Sequence, residues 1–101
     1  MNTPKQYRQG DILFLEIDSL PTKRKRLEHG VVAEGEITGH KHQIADDAAL
    51  LYEDGTVKFL EALRETSIVH EEHKEIILPK GFYRVVQQRQ YTPGRVEPVR
   101  D

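Results

Sequence analysis

Four of the five histidines in this chain fall in two tight pairs, His40-Lys41-His42 and His70-Glu71-Glu72-His73. Imidazole is the side chain whose charge changes nearest neutral pH, and it is the commonest metal ligand. On a strand, residues two apart point to the same face. His40 and His42 are therefore expected to present two rings side by side, with Lys41 turned away. Glu36 and Thr38 share that parity, as does Glu34 if no bulge intervenes at Gly35. Residues three apart, such as His70 and His73, converge in a helical turn or a tight bend. Two such dyads brought together can bind one divalent metal ion. Imidazole suits zinc, copper, nickel and iron, and a neighbouring carboxylate extends the range to manganese. The same pattern also suits four polar, hydrogen-bonded histidines that hold no metal, and the sequence leaves both readings open. Under the metal reading the ligands are His40, His42, His70 and His73. Glu34, Glu36, Glu71 and Glu72 are then at hand to orient the rings, and Glu71 or Glu72 can serve as a general base beside a metal-bound water. His29, in Glu28-His29-Gly30, reads as incidental.

Other chemistry is quickly excluded. There is no cysteine, so disulfides, thiolate catalysis and cysteine-based zinc sites are out. No Gly-x-Ser-x-Gly elbow is present. Neither Gly-x-x-x-x-Gly-Lys-Ser/Thr nor Gly-x-Gly-x-x-Gly appears, so no nucleotide cofactor is expected. At 101 residues and 11.7 kDa the chain reads as a single domain, 1–101, too small for a deep multi-substrate cleft. No apolar run approaches a membrane span, and the opening residues lack the apolar stretch of a secretory signal. These features suit a cytoplasmic protein, and a homo-oligomer is left open.

The elements that must position the histidines read as short strands. Ile12 to Ile17 follows the turn signal Gln9-Gly10-Asp11 and reads as a buried strand. Residues 30–35 and 36–44 look extended. Ala49 to Tyr52 and Thr56 to Leu60 flank Asp54-Gly55 and read as a hairpin. Glu61 to Glu65 allows one helical turn. Extended segments resume at Ser67 to His70, Glu75 to Leu78 and Phe82 to Tyr91, with a tight turn at Pro79-Lys80-Gly81. Residues 92–101 read as a tail or edge segment. Short strands punctuated by Gly and Pro predict an all-β fold with little helix, a small antiparallel β-barrel or sandwich. Its core is expected to include Ile12, Phe14, Leu15, Val32, Leu51, Val57, Phe59, Ile77, Val85 and Val86.

The order of these features resembles the cupin family. His40-x-His42 comes first, Asp46 or Asp47 follows, then Gly55, and Pro79-Lys80-Gly81 resembles the Pro-x-Gly turn of the second cupin motif. The resemblance covers roughly residues 35 to 88. It implies a small antiparallel barrel whose metal is held by the His-x-His pair, the following carboxylate and a later histidine. Arg84 stands where that histidine belongs, so His70 or His73 would have to replace it. The chain as a whole looks more like a member of a small bacterial family than like a well-described enzyme.

A net charge of −2 hides an uneven distribution. Residues 1–26 hold six Lys/Arg against three acids, residues 27–75 four against twelve, and residues 76–101 five against two. The basic cluster Lys23-Arg24-Lys25-Arg26 is expected in a loop. It carries the alternative function, a non-enzymatic module that contacts nucleic acid or an acidic partner through its basic ends. No aromatic residue is interleaved with the cluster, so a stacking platform for single strands is not expected there.

Overall fold

A computed structural model describes residues 5–34, 39–88, 90–92 and 95–97. These form strands and no helix. The first four are β1 (Gln6–Gln9), β2 (Ile12–Ile17), β3 (Lys25–Leu27) and β4 (Val31–Glu34). Next come β5 (Lys41–Ile44), β6 (Ala49–Asp54), β7 (Val57–Ala62) and β8 (Thr66–Val69). The last are β9 (Ile76–Leu78), β10 (Gly81–Gln87), β11 (Gln90–Thr92) and β12 (Arg95–Glu97). Every pairing is antiparallel. A six-stranded sheet has the order β1-β2-β10-β7-β6-β3, a four-stranded sheet has β4-β5-β8-β9, and β11 pairs with β12. The fold is all-β, as expected, and of the two architectures it is the sandwich. Among the described residues the sheets do not close into a barrel. No helix is long and apolar enough to cross a membrane.

Two hairpin turns set the register. Gln9 faces Ile12 across the two-residue loop Gly10-Asp11, and Asp54 faces Val57 across Gly55-Thr56. Gly10 and Gly55 have φ of 59° and 61°. A type II′ hairpin needs a positive φ at its first loop position, which glycine adopts without strain. The hairpin expected at Asp54-Gly55 is present, with Asp54 inside β6 and Gly55-Thr56 as the turn.

The sheets bury one face each against the other. Ile12, Phe14, Leu51, Leu60, Ala62 and Tyr83 come from the six-stranded sheet, and Val32, Ala33, Ile68 and Leu78 from the four-stranded one. Of the expected core, Ile12, Phe14, Val32 and Leu51 are buried, and Val85 packs against them. Ile77 is a correction. It is 44% exposed, because Ile76 and Leu78 take the inward parity of β9. Leu15, Val57, Phe59 and Val86 are also corrections. They alternate with inward residues and form the outer face of the larger sheet.

Three element assignments change as well. Leu63 to Glu65 is a bend after β7 rather than a helical turn. Lys25 and Arg26 belong to edge strand β3, not to a loop. The last long strand stops at Gln87, and part of the expected tail pairs as β11 and β12. Glu36 and Thr38, expected on the histidine face, lie outside the described residues, as do Arg89 and Arg100.

Tyr83 shows how the core handles a polar atom. It is fully buried, its ring meets Tyr7 edge-on at 6.0 Å, and its hydroxyl donates to Pro79 O at 2.6 Å. Burial pushes its phenol up to about 12, with smaller contributions from Tyr7 and Glu16. The folded state thus holds the proton more tightly than the unfolded chain, whose phenol titrates near 10.0. The stability from this group is complete below pH ~10 and is lost as pH rises through the folded value. Thermal melts from pH 9 to 12 should show a falling midpoint, and Tyr83→Phe should flatten that fall. The inward and outward positions of β9 give a second check. Leu78→Ala should cost ~2–5 kcal/mol in urea unfolding, and Ile77→Ala about 0.5 kcal/mol or less.

Candidate metal centre

The four-stranded sheet brings the two histidine pairs together by register. β5 and β8 pair antiparallel with Gln43 opposite Val69 and Ile44 opposite Ile68. Continued past the last ladder pair, the same register sets His42 opposite His70, Lys41 opposite Glu71 and His40 opposite Glu72. The contacts follow that pattern. Lys41 N donates to Glu71 Oε2 at 2.8 Å, and His40 Nδ1 lies 3.6 Å from Glu72 Oε1.

His70 is the hub. Its ring centroid lies 5.6 Å from that of His40, 4.3 Å from that of His42 and 4.5 Å from that of His73. His42 and His73 are stacked at 6.1 Å. All four histidines singled out in the sequence therefore meet in one cluster. The bend at residues 71–73 closes around His70, whose Nδ1 accepts the backbone N–H groups of Glu72 at 3.0 Å and His73 at 3.3 Å. His40 stands just before β5 rather than in it, after Gly39 at φ 74°. Its ring still reaches His70 beside that of His42, as the i, i+2 spacing leads one to expect. His29 is exposed, and its Nδ1 accepts Val31 N–H at 3.3 Å.

The four rings do not play one role. Two of them, His40 and His70, join Glu71 in a group whose ligand atoms all lie within 4.8 Å of one another. Glu71 is exposed, and its carboxyl is held below the usual carboxylate range. The Lys41 backbone N–H is the main cause, helped by its own N–H and by the charge of His40 and His70 against a desolvation cost. It is ionised at neutral pH.

His42 is 1% exposed and is held differently. Gln9 Nε2 donates to both Ile68 O and Lys74 O at 2.9 Å. That orients the amide so that Oε1 faces His42 Nδ1 at 2.9 Å. An acceptor there makes Nδ1 the donor. Nε2 then faces Asp11 Oδ1 at 3.5 Å, and Asp11 Oδ2 accepts from Gln87 Nε2 at 3.1 Å. Gln9 and Asp11 escaped notice in the sequence because they flank Gly10 in an ordinary turn signal. Their burial, 2% and 4% exposed, comes from the fold.

The carboxylates that the cupin resemblance offered are used elsewhere. Asp46 Oδ1 takes Ala48 N–H at 2.9 Å and the Thr66 hydroxyl at 2.8 Å, and these bonds lower its pKa. Asp47 pairs with Arg64 at 2.8 Å. In the basic cluster, Arg24 donates to Pro21 O at 2.9 Å and lies over the Tyr52 ring at 5.1 Å. Lys25 and Arg26 face Glu53 and Tyr52 across β6.

The sequence model of a family described as Domain of unknown function (DUF8820) matches residues 8–88. The chain belongs to the DUF8820 family. The matched span contains both histidine pairs together with Gln9 and Asp11. No curated protein matches the chain, and no solved structure does.

The burial of Gln9 in this DUF8820 chain predicts a strong effect of a small change. Gln9→Leu leaves the Ile68 and Lys74 carbonyls without their donor and His42 Nδ1 without its acceptor. Each buried polar group left unsatisfied costs about 1–3 kcal/mol. Urea unfolding should show a loss of at least ~2 kcal/mol with an unchanged slope.

Proposed function

We propose that this protein binds one divalent transition metal through His40, His70 and Glu71. The observation that carries the reading is the convergence of two imidazoles and an ionised carboxylate within 4.8 Å. Two imidazoles and one carboxylate are the donor set of catalytic zinc sites and of non-haem iron sites. Zinc and iron are therefore favoured over nickel and manganese. Three protein ligands leave positions for water or a small substrate, so the set suits metal-assisted hydrolysis or oxygenation. A cavity of about 250 Å³ lined by Lys41, Gln43, Val69, His70 and Glu71 opens beside two of the ligands.

The surrounding residues support that role. Glu72 Oε1 lies 3.6 Å from His40 Nδ1, near enough to take up the carboxylate–histidine arrangement of metal sites on loading. His42 and His73 brace the His70 ring, and Gln9 braces His42. Ligands about 2.1 Å from one ion sit roughly 3–3.5 Å apart, so loading draws the three side chains inward. It also competes at His70, whose Nδ1 accepts two backbone N–H groups.

Elemental analysis of untagged protein reconstituted with zinc or iron(II) tests the reading. About one equivalent should be retained at pH 7.5 and released below pH ~6, as imidazoles protonate. His40→Ala and Glu71→Gln should lose the metal, and His29→Ala should keep it. Loading should also change hydrogen exchange at the Glu72 and His73 amides. Failure of the wild-type chain to hold stoichiometric metal, or full retention by both variants, would overturn the assignment.

A further inference from the structure

The six-stranded sheet has a second face, whose residues, among those described, neither join the core cluster nor pack against it. One row across it, fixed by the register, reads Leu15, Arg84, Phe59, Tyr52. The next reads Ile17, Phe82, Glu61, Leu50. The apolar members are half-buried, yet none belongs to the core cluster or packs against it. In an antiparallel sandwich the outer positions are normally polar and solvated, whereas here they are largely apolar. Contiguous apolar surface of this kind marks an interaction site.

We infer that this face is the contact between two copies of the chain, related by a two-fold axis. Charge is the first argument. Arg84 is exposed in the middle of its apolar row, and among the described residues its guanidinium makes no ion pair. Glu61, on the adjacent strand, accepts the Tyr52 hydroxyl at 3.2 Å. β10 and β7 are the two central strands of the sheet. A two-fold along the strands between them lays β10 of each copy over β7 of the other. Arg84 then meets the second copy's Phe59 and Glu61, and the same pair forms twice, as an isologous interface requires. β2 lies over β6, so Leu15 and Ile17 cover the second copy's Tyr52 and Leu50. Arg8 and Arg26 fall on the edge strands, at the solvated rim.

Area is the second argument. Four strands of six or seven residues and two edge strands of four and three, spaced ~4.8 Å apart at ~3.3 Å per residue, give a flat footprint of roughly 500 Å². Two such faces bury roughly 1,000 Å² in total, about the least that a biological interface needs. The corrugation of Phe82, Phe59 and Leu15 raises the accessible area above the flat value. The core of the contact is aromatic and aliphatic with one charge pair repeated by the two-fold, the composition of a stable homodimer.

Sedimentation of the full chain at 10–100 µM, with metal present and absent, tests the inference. The wild type should run at twice its 11.7 kDa mass. Phe59→Glu should run as a folded monomer by circular dichroism. Arg84→Glu and Glu61→Arg should each weaken the dimer ~10-fold or more, and the double reversal should restore it. A monomeric wild type at 100 µM would overturn the proposal and leave the face to residues 89–101 or to another protein. A dimer indifferent to Phe59→Glu would place the contact elsewhere and overturn it too. Neither result bears on the metal centre, whose ligands lie on the other sheet.

Discussion

One side-chain amide joins the two sheets to the histidine cluster. Gln9 ends β1 and reaches across the sandwich to the carbonyls of Ile68 and Lys74, at the mouth of the bend that carries His70 and His73. An amide has two N–H donors on one atom and an acceptor on the other. Both donors are used on the backbone, so the acceptor is left for His42. A glutamate has no donor to give, and a hydroxyl has one. The residue type and the buried geometry therefore require each other.

This arrangement explains how a cluster of imidazoles can sit at the edge of a dry core. Buried polar groups are tolerated when they are bonded, and a partly satisfied network is costly. His42, the deepest ring, is held between Gln9 and Asp11. His40 and His70 lie nearer the surface, beside Glu71 and Glu72. The cluster thus grades from a fixed, bonded interior to the more exposed residues proposed as metal ligands. The Lys41–Glu71 bond ties the exterior back to β5, and the bend around His70 holds its ring in place.

The two sheets share this economy unequally. The four-stranded sheet presents the cluster at one end of its strands. The six-stranded sheet supplies more of the core and keeps an apolar outer face. The proposed metal centre and the proposed contact between copies are physically separable, since the proposed ligands come from the flanks of β5 and β8.

Much of the local structure was legible in the chain itself. Ile12 to Ile17, the hairpin through Gly55 and the short strands between turns follow from β-branched runs and glycines at positive φ. The His-x-His and His-x-x-His spacings named the cluster's members because i, i+2 and i, i+3 geometry is local. What only the tertiary structure decided was register and partnership. The offset that sets His42 opposite His70 belongs to strand pairing between segments nearly thirty residues apart, which local spacing does not encode. Which of two adjacent isoleucines faces inward in β9 was set by the neighbouring sheet. Gln9 and Asp11 look like turn residues until the fold buries them. The separation of the four histidines into His40 and His70 beside Glu71, and His42 against Gln9, came from the same burial, because a side chain's partners are chosen by what the closed sandwich leaves within its reach.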